Sequence, residues 1–291
     1  MLDYVLLQVV ISGLVQGSIY SLVSIGLTLI WGTMNIINFS HGSLMMMAMY
    51  GSFWAWTFFS LDPLVSLLLI FPVMYGVGYL LQRFIVGPIL EHERHSQLLM
   101  TFGLGLVIKN LALHFWRSTY RYILTPYVDS VLRIGEVRLE VTRVMACVAA
   151  ISLSIVCHLF LTRTSIGMAI RAVSQDRDGA ASMGIDVRRI YGLTFGLGIG
   201  LAGAGGTIIT TYFPTSPEVG DPFMLTAFVV MVLGGMGNYL GAMISGLIIG
   251  VTESVSAYLL SSSLRQAVAL IIFILVLIVR PEGLFGRALR R

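Results

Sequence analysis

Long apolar runs, separated by short polar segments, follow one another along the whole chain. A helix that crosses a membrane needs about 20 mostly apolar residues. On this criterion the pattern predicts nine apolar segments, although eight full spans with broken or re-entrant pieces fit it as well. The predicted segments cover residues 4–30, 43–59, 64–86, 97–116, 144–161, 190–212, 223–233, 242–260 and 264–279. The sequence therefore predicts an all-α polytopic membrane protein whose single transmembrane domain takes up residues 1–291.

The segment after the first apolar run is too polar for the middle of a span and too apolar for a free loop. Flanked by Gly32 and Gly42, it carries Asn35, Asn38, Ser40 and His41 within seven residues. Irregular backbone is tolerated at membrane depth only where protein or a water-filled cavity satisfies its polar groups. We therefore expect a broken helix whose polar side chains line a translocation pathway. The alternative is an interfacial loop in which His41 only packs.

A similar order of apolar run, glycine-rich break and apolar run occurs twice in the chain. It covers residues 28–51 and again residues 225–250. Interrupted segments in corresponding positions of two halves indicate a transport site between the halves. The alternative is a coincidence of glycine-rich sequence.

Two strongly ionisable residues are predicted to lie inside spans. They are Lys109, which precedes Asn110, and Glu253. Burying such a side chain costs roughly 3 kcal/mol on membrane-insertion scales, so a function or a partner is expected. These two residues and Asn110 are therefore candidates for the pathway. Lys109 could contact a carboxylate-bearing solute, pair with Glu253, or extend to the nearer membrane interface.

Two longer polar segments lie between the spans. In the first, residues 117–143, apolar and polar residues alternate from Val131 to Val141, with Gly135 and Glu136 at a plausible turn. This pattern predicts a small β-hairpin.

The second polar segment, residues 163–189, contains a short predicted helix. Ser174 or Asp176 can cap its start, Asp176 and Asp178 suit its first turn, and Gly184 suits its end. The side chains that it is expected to present are small, namely those of Ala180, Ala181 and Met183. An ordinary loop with one helical turn is the alternative.

Composition supports the membrane assignment and adds an orientation. Of 291 residues, 57% are hydrophobic and only 11% are charged, whereas a soluble domain has about 25% charged residues. Lys and Arg concentrate on the cytoplasmic side of membrane proteins. Placing residues 163–189 in the cytoplasm puts eleven arginines there and six on the other side. The N-terminus and hairpin are then external and the C-terminus is cytoplasmic. Because the basic residues lie at span ends, no nucleic-acid binding is expected.

The sequence lacks the patterns of a catalytic or metal-binding subunit. Cys147 and Cys157 lie ten residues apart in one predicted span, and the H-E-R-H stretch at 92–95 has no third ligand nearby. No G-x-x-x-x-G-K-[ST] phosphate loop is present, so ATP hydrolysis is not expected on this chain. We expect no catalytic residue, no metal and no bound cofactor.

Five stretches carry a resemblance to a known family. They are G-L-T-L-I-W-G-T-M-N-I-I-N-F-S-H-G at 26–42, R-T-S-I-G-M-A-I-R-A-V-S-Q-D at 163–176, A-A-S-M-G-I at 180–185, V-L-G-G-M-G-N-Y-L-G-A at 232–242 and V-R-P-E-G-L-F-G at 279–286. Together they make the chain resemble, along nearly its whole length, a permease subunit of the branched-chain amino acid family of ABC importers. It is similar to the shorter of that family's two permeases.

The resemblance implies a complex in which this chain does no catalysis. Its partners would be a second, related permease and two cytoplasmic ATPases, which bind the ATP. A periplasmic binding protein would deliver the solute, a branched-chain or related amino acid or a similar small carboxylate or amide. The chain would lie in the bacterial inner membrane, in contact with lipid.

The resemblance also implies that the short helix within 163–189 is a coupling helix that docks on an ATPase. The residues assigned to coupling in this way are Arg171, Asp176, Ala180, Ala181, Met183 and Gly184. The chain departs from the family pattern at Gly179, where an acidic residue often stands, and at Lys109, where an uncharged polar residue is usual. An ion-coupled secondary transporter, with Lys109 and Glu253 as an ionisable pair, is the alternative function.

Overall fold

The structure, a computed structural model, describes residues 2–134 and 137–286. Helices dominate this part of the chain. They are α1 (Leu2–Met34), α2 (His41–Phe59), α3 (Pro63–Leu81), α4 (Arg94–Trp116), α5 (Val141–Arg163), α6 (Ser165–Gln175), α7 (Arg177–Ser182), α8 (Val187–Ile209), α9 (Gly220–Gly234), α10 (Tyr239–Leu259) and α11 (Arg265–Val279). A π-helical stretch, Gln82–Val86, and a 3-10 turn, Gly87–Ile89, continue α3, and a second 3-10 turn, Ser262–Leu264, precedes α11.

Each of the nine predicted apolar segments corresponds to one of the longer helices, which confirms an all-α multi-pass fold. Among the described residues, seven helical stretches are long and apolar enough to cross a membrane, those that contain α1, α3, α4, α5, α8, α10 and α11. The other two apolar helices, α2 and α9, are outside this set, and α9 has only 15 residues. The contacts described below show that both of these helices begin inside the membrane layer.

The predicted hairpin and the predicted short helix lie at opposite ends of the bundle. Strands β1 (Val131–Ile134) and β2 (Val137–Glu140) pair antiparallel, which confirms the hairpin, and its predicted turn at 135–136 lies outside the described residues. Helix α5 begins directly after β2, at Val141 rather than at residue 144, and its 23 residues lead to α6 and α7. We call the two ends of the bundle the hairpin side and the α7 side.

The start of α1 and the loop before the hairpin also lie on the hairpin side. The Gln8 side-chain amide donates a hydrogen bond to the Arg138 carbonyl oxygen, with N and O 3.2 Å apart. The Tyr127 hydroxyl donates to the Asp62 carboxylate, which also caps α3 by accepting from the Leu64 N–H. Burial, followed by the hydrogen bond to Asp62, raises the pKa of the Tyr127 phenol above its ordinary value.

Helix α2 begins near the middle of the layer and not at its surface. After α1 ends at Met34, the chain reverses direction at Asn35, whose φ is +54°. Residues 35–40 then lead back toward the middle of the membrane layer. The His41 ring nitrogen Nε2 then lies 3.0 Å from the carbonyl oxygen of Val23 in α1. Because Val23 precedes the end of α1 by about three turns, α2 starts about 16 Å inside that end. From there it runs to the hairpin side.

Helix α9 begins at the same depth and runs in the opposite direction. After α8 ends on the hairpin side, Thr215 pairs with Arg121 in an isolated antiparallel bridge. Residues 216–219 then lead from the hairpin side into the bundle. Gly220 is the first residue of α9, and its backbone contacts the backbone of Gly42 in α2. The Ser43 hydroxyl donates to the carbonyl oxygen of Gly105, which is the central residue of α4, so this meeting point lies at mid-depth.

Two reciprocal glycine contacts relate the halves that contain α1–α2 and α8–α9. A methyl group on Gly26 would overlap the Gly198 carbonyl oxygen, and one on Gly198 would overlap that of Gly26. Gly42 and Gly220 show the same mutual relation. The two full helices, α1 and α8, run in opposite directions, and so do α2 and α9. This antiparallel relation of two helix pairs is the arrangement of an inverted repeat, which is typical of membrane transporters.

The two stretches that the sequence compared, residues 28–51 and 225–250, each consist of a helix, a break and a second helix, namely α1–α2 and α9–α10. The break in the second stretch is a tight turn, in which the Asn238 N–H donates to the Gly235 carbonyl oxygen. A repeat relation between the two stretches stays a prediction.

Helices α1 and α10 pack with their backbones in contact along two turns. Gly13 and Gly17 of α1 face Gly250 and Gly246 of α10, and a methyl group on any of them would overlap the partner helix. The Ser21 hydroxyl continues this contact by donating to the Met243 carbonyl oxygen at 2.6 Å. Small residues spaced four apart allow the two backbones to come this close. The resulting van der Waals packing holds the helices together, because the hydrophobic effect does not drive helices together in lipid.

We expect the substitution Gly26→Ala to destabilise the fold by about 1–3 kcal/mol, because its methyl group has to displace the backbone of α8. Thermal unfolding of the purified protein in detergent measures this loss. The matched control is Gly103→Ala, since a methyl group at Gly103 meets no atom within 4 Å in the described structure, and alanine favours a helix. Equal melting temperatures for the two variants would contradict the role assigned to the Gly26–Gly198 contact.

Candidate functional site

A cavity lies where the N-termini of α2 and α9 meet at mid-depth. Its volume is about 270 Å³, and it is lined by Phe39, Ser43, Phe102, Gly220, Asp221, Met224, Leu225 and Phe228. Most of these side chains are apolar, whereas Ser43 and Asp221 are polar. Each helix N-terminus carries about half a positive charge, so both helices direct positive potential into the same space.

An ion pair stands at the edge of this cavity. Lys109 Nζ lies 2.5 Å from Asp221 Oδ2, with 24% of the lysine side chain and 61% of the aspartate side chain exposed. Lys109 follows Gly105 by one turn of α4, and Asp221 is in the first turn of α9, where a carboxylate complements the helix dipole. Two charged side chains therefore face outward from the described chain at a depth where its neighbours are apolar.

The partner of Lys109 is not the one that the sequence suggested. The alternative in which Lys109 pairs with Glu253 does not hold, since Glu253 Oε2 accepts from Arg265 Nε at 2.8 Å and from the Tyr20 hydroxyl at 2.7 Å. Arg265 also donates to the Tyr20 hydroxyl at 3.0 Å, which closes a triangle of three polar groups. The ion-coupled alternative loses the residue pair on which it rested.

Glu253 is buried behind α9 and does not line the cavity. Only 1% of its side chain is exposed, and the Tyr20 ring above it packs edge-on against Phe223, with centroids 5.8 Å apart. The cluster of Tyr20, Glu253 and Arg265 therefore supports the first turn of α9 from the side opposite to the cavity. A direct role for Glu253 in a pathway stays a prediction.

The polar residues of segment 35–42 stabilise the irregular backbone that connects α1 to α2. Asn38, Ser40 and His41 are fully buried, and Asn38 Oδ1 accepts from both the hydroxyl and the N–H of Ser40, at 2.6 and 3.2 Å. Within the described structure, Asn38 Nδ2 and His41 Nδ1 have no hydrogen-bond partner. None of these three residues lines the cavity, and their role in a pathway stays a prediction.

Two predicted pathway residues lie further from the cavity lining. Asn35 is exposed at the turn after α1, on the α7 side of the break. Asn110 is exposed on α4, and its amide donates to the Leu106 carbonyl oxygen at 2.8 Å. Sequence reasoning missed Asp221 and Ser43. Asp221 lies between the predicted segments 190–212 and 223–233, although an acidic residue at the start of an apolar helix is a recognisable helix-start signal.

A second candidate site is α7, on the opposite end of the molecule from the hairpin. Asp176 caps it, with Oδ1 accepting from the N–H groups of Asp178 and Gly179 at 3.0 Å each. Gly184 terminates it with a φ of +83°. Both ends of the helix are thus as predicted. Ala181 is exposed and the Met183 side chain is 85% exposed, so α7 presents a small residue and a flexible apolar one.

Two features of this segment differ from the prediction. Ala180 is buried rather than presented, because the Ile185 N–H folds back onto its carbonyl oxygen and turns that side of α7 inward. The sequence also missed α6, whose buried residues Gly167, Ile170 and Val173 recur every three positions. Thr164 caps α6 by accepting from the Gly167 N–H. Arg171 lies on α6, half-buried, and its coupling role stays a prediction.

Fold and cavity together define a class of protein. Interrupted helices whose N-termini meet at mid-depth are typical of membrane transport proteins. A scan of family models narrows this class, since the model described as branched-chain amino acid transport system permease component matches residues 9–277. The chain therefore belongs to the family of branched-chain amino acid transport permeases.

Curated relatives agree with this assignment over nearly the full chain. The high-affinity branched-chain amino acid transport system permease protein BraD of Pseudomonas aeruginosa is 29% identical, over 98% of this chain and 97% of the relative. The corresponding LivH protein of Salmonella typhimurium is also 29% identical, over 97% and 96%. A probable LivH of Methanocaldococcus jannaschii is 27% identical, over 94% and 90%. No solved structure matches the chain.

We expect Arg265→Gln to cost about 2–3 kcal/mol of stability, because it leaves the buried Glu253 carboxylate without its cation. This is below the 3–5 kcal/mol typical of a fully buried pair, since the Arg265 side chain is 38% exposed. Thermal unfolding in detergent measures the loss. The control is Arg188→Gln, whose exposed pair with Glu91 has a 3.6 Å separation and which should cost at most about 1 kcal/mol. If the double variant Arg265→Gln/Glu253→Gln is no more stable than Arg265→Gln alone, the loss of stability does not come from the unpaired Glu253 charge.

Proposed function

We propose that this chain is the non-catalytic permease subunit of an ATP-driven ABC importer and forms half of the pathway for an amino acid. The observation that carries the proposal is the mid-depth cavity, where two helix N-termini and the Lys109–Asp221 pair surround an apolar wall. ATP is bound by partner subunits in this proposal, and the chain itself has no cofactor. A periplasmic binding protein delivers the solute.

The cavity has complementary groups for each part of a branched-chain amino acid. The helix N-termini and Lys109 attract the α-carboxylate, and Asp221 attracts the α-ammonium group. Phe102, Met224 and Phe228 offer an apolar surface to the side chain. The printed names of the relatives, which are branched-chain amino acid transport proteins, support the same class of solute.

The exposed ion pair also supports a second permease as partner. A charged side chain in a span is costly toward lipid and almost always faces protein or a water-filled cavity. Lys109 and Asp221 face out of this chain, and the cavity beside them is lined on one side only, by α2, α4 and α9. We propose that a related permease covers this face and closes the pathway.

The orientation proposed for the chain follows from its arginines. The α7 side carries the larger number and is assigned to the cytoplasm of a bacterial inner membrane. The N-terminus and the hairpin are then external, and the C-terminus is cytoplasmic. Helix α7 is the coupling helix, and Ala181 and Met183 contact an ATPase.

We expect Lys109→Gln and Asp221→Asn each to lower amino-acid uptake at least about tenfold, because each removes a charge-assisted hydrogen bond worth about 1.5–3 kcal/mol. Lys109→Arg, which keeps the charge, should retain most of the uptake. Uptake of radiolabelled leucine into proteoliposomes that contain the whole complex measures both.

The double variant Lys109→Gln/Asp221→Asn distinguishes recognition from packing. If the two residues recognise a zwitterion, the double variant remains inactive. Recovery of wild-type uptake in the double variant would show that the pair only holds α4 against α9, and the proposed solute contact would be abandoned.

We expect Ala181→Trp to abolish uptake and binding of the ATPase subunits while the protein remains in the membrane, because a bulky side chain blocks a close docking surface. Copurification of the ATPases and ATP-dependent uptake are the measurements. His92→Trp, an equally exposed position on the α7 side, is the control and should assemble normally. Uptake that continues on an ion gradient without ATPases would instead favour the secondary transporter.

A further inference from the structure

A groove of two parts runs along α3 and α8, away from the proposed pathway. Its apolar part has a volume of about 370 Å³ and is lined by residues of α3, α5, α6 and α8, among them Phe71, Tyr75, Leu193 and Leu197. None of these helices lines the pathway cavity between α2, α4 and α9. The apolar part faces the side of the bundle that the proposed second permease leaves free.

The other part of the groove lies on the α7 side and is basic. Its volume is about 650 Å³, and four arginines line it, Arg83, Arg177, Arg188 and Arg189. Two acidic residues accompany them. Glu91 lies 3.6 Å from Arg188 in an exposed pair, and one oxygen of Asp186 is occupied by the Arg189 N–H. The four guanidinium groups thus leave an excess positive charge at this end.

A buried amide points into the basic part. Gln82 is 5% exposed and lines the cavity, yet its side chain makes no hydrogen bond to any described residue. It is held in place between the backbones of Gly87 and Gly192. Its amide atoms are not among the buried unpaired polar atoms of the described residues, so they face the cavity and are available to a hydrogen-bonding ligand.

The two parts follow one another along the same faces of α3 and α8. On α3 the lining residues Phe71, Tyr75 and Tyr79 follow each other at four-residue spacing, and on α8 Arg189, Leu193 and Leu197 do the same. Residues four apart share a helix face. The groove from Phe71 to Arg83 is about 18 Å long at 1.5 Å per residue, which is comparable to an extended phospholipid acyl chain.

We propose that this groove binds an anionic phospholipid of the leaflet on the α7 side. The phosphate lies among Arg83, Arg188 and Arg189 and near Gln82, and one acyl chain fills the apolar part, which α3, α5, α6 and α8 line. Basic pockets between transmembrane helices at this interface are suited to anionic headgroups. The lipid would thereby contact both the first turn of α8 and the neighbourhood of α7.

The test uses the detergent-purified protein, together with any subunits that copurify, and native mass spectrometry. Phosphatidylglycerol and phosphatidylcholine of the same acyl composition are the probes, and the wild type should bind the former more tightly. Arg83→Gln/Arg189→Gln should weaken phosphatidylglycerol binding about 25-fold, because each basic residue near an anionic surface contributes about fivefold. Binding of phosphatidylcholine should not change. Arg133→Gln/Arg138→Gln, on the hairpin, is the matched control and should bind as the wild type does.

A second variant tests the apolar part independently of charge. Leu197→Trp fills the groove and should weaken binding of both lipids, whereas Leu106→Trp, on the exposed face of α4, should not. Unchanged phosphatidylglycerol binding in Arg83→Gln/Arg189→Gln or in Leu197→Trp would overturn the proposal. Displacement of the lipid by glycerol phosphate at equal concentration would also overturn it in favour of a soluble anion. Loss of ATPase copurification without loss of lipid would assign the arginines to protein docking instead.

Discussion

The mutual contacts of Gly26 with Gly198 and of Gly42 with Gly220 are the constraint on which the remaining structure depends. In each pair the backbones approach so closely that no side chain can stand between them. The first pair lets two oppositely directed full helices cross, and the second brings the starts of α2 and α9 together at mid-depth. Backbone that is irregular at this depth has to be enclosed by protein, and the buried side chains of Asn38, Ser40 and His41 provide that enclosure.

The placement of charge follows from this geometry. Glu253 and Arg265 lie behind α9, where Tyr20 completes their hydrogen bonds, so that pair stabilises the position of the helix start. Lys109 and Asp221 lie in front of it, where both remain partly exposed. A pair enclosed by the chain supports structure, whereas a pair that faces outward at membrane depth needs a partner or a solute. This difference is why we assign only the second pair to recognition.

Much of the fold could be predicted from the sequence because its signals are local. Apolar length located the helices, alternation located the hairpin, and Asp176 and Gly184 located both ends of α7. Helix α6 was missed because its three buried positions are embedded in a charged segment. Asp221 was missed because it lies between two predicted apolar segments, whereas residues 216–219 in fact descend into the bundle and place it in the first turn of α9.

The sequence by itself determined that the chain is a multi-pass membrane protein, that it resembles a branched-chain amino acid permease, and where its short polar helix begins and ends. Only the tertiary structure decided which charges pair, which segments form the inverted repeat, and which side of α7 is buried. The physical reason is that hydrophobic length and helix caps act within a few residues of the chain. The pairs of Lys109 with Asp221 and of Glu253 with Arg265 depend instead on which helix faces come together, and close contacts between distant glycines determine that.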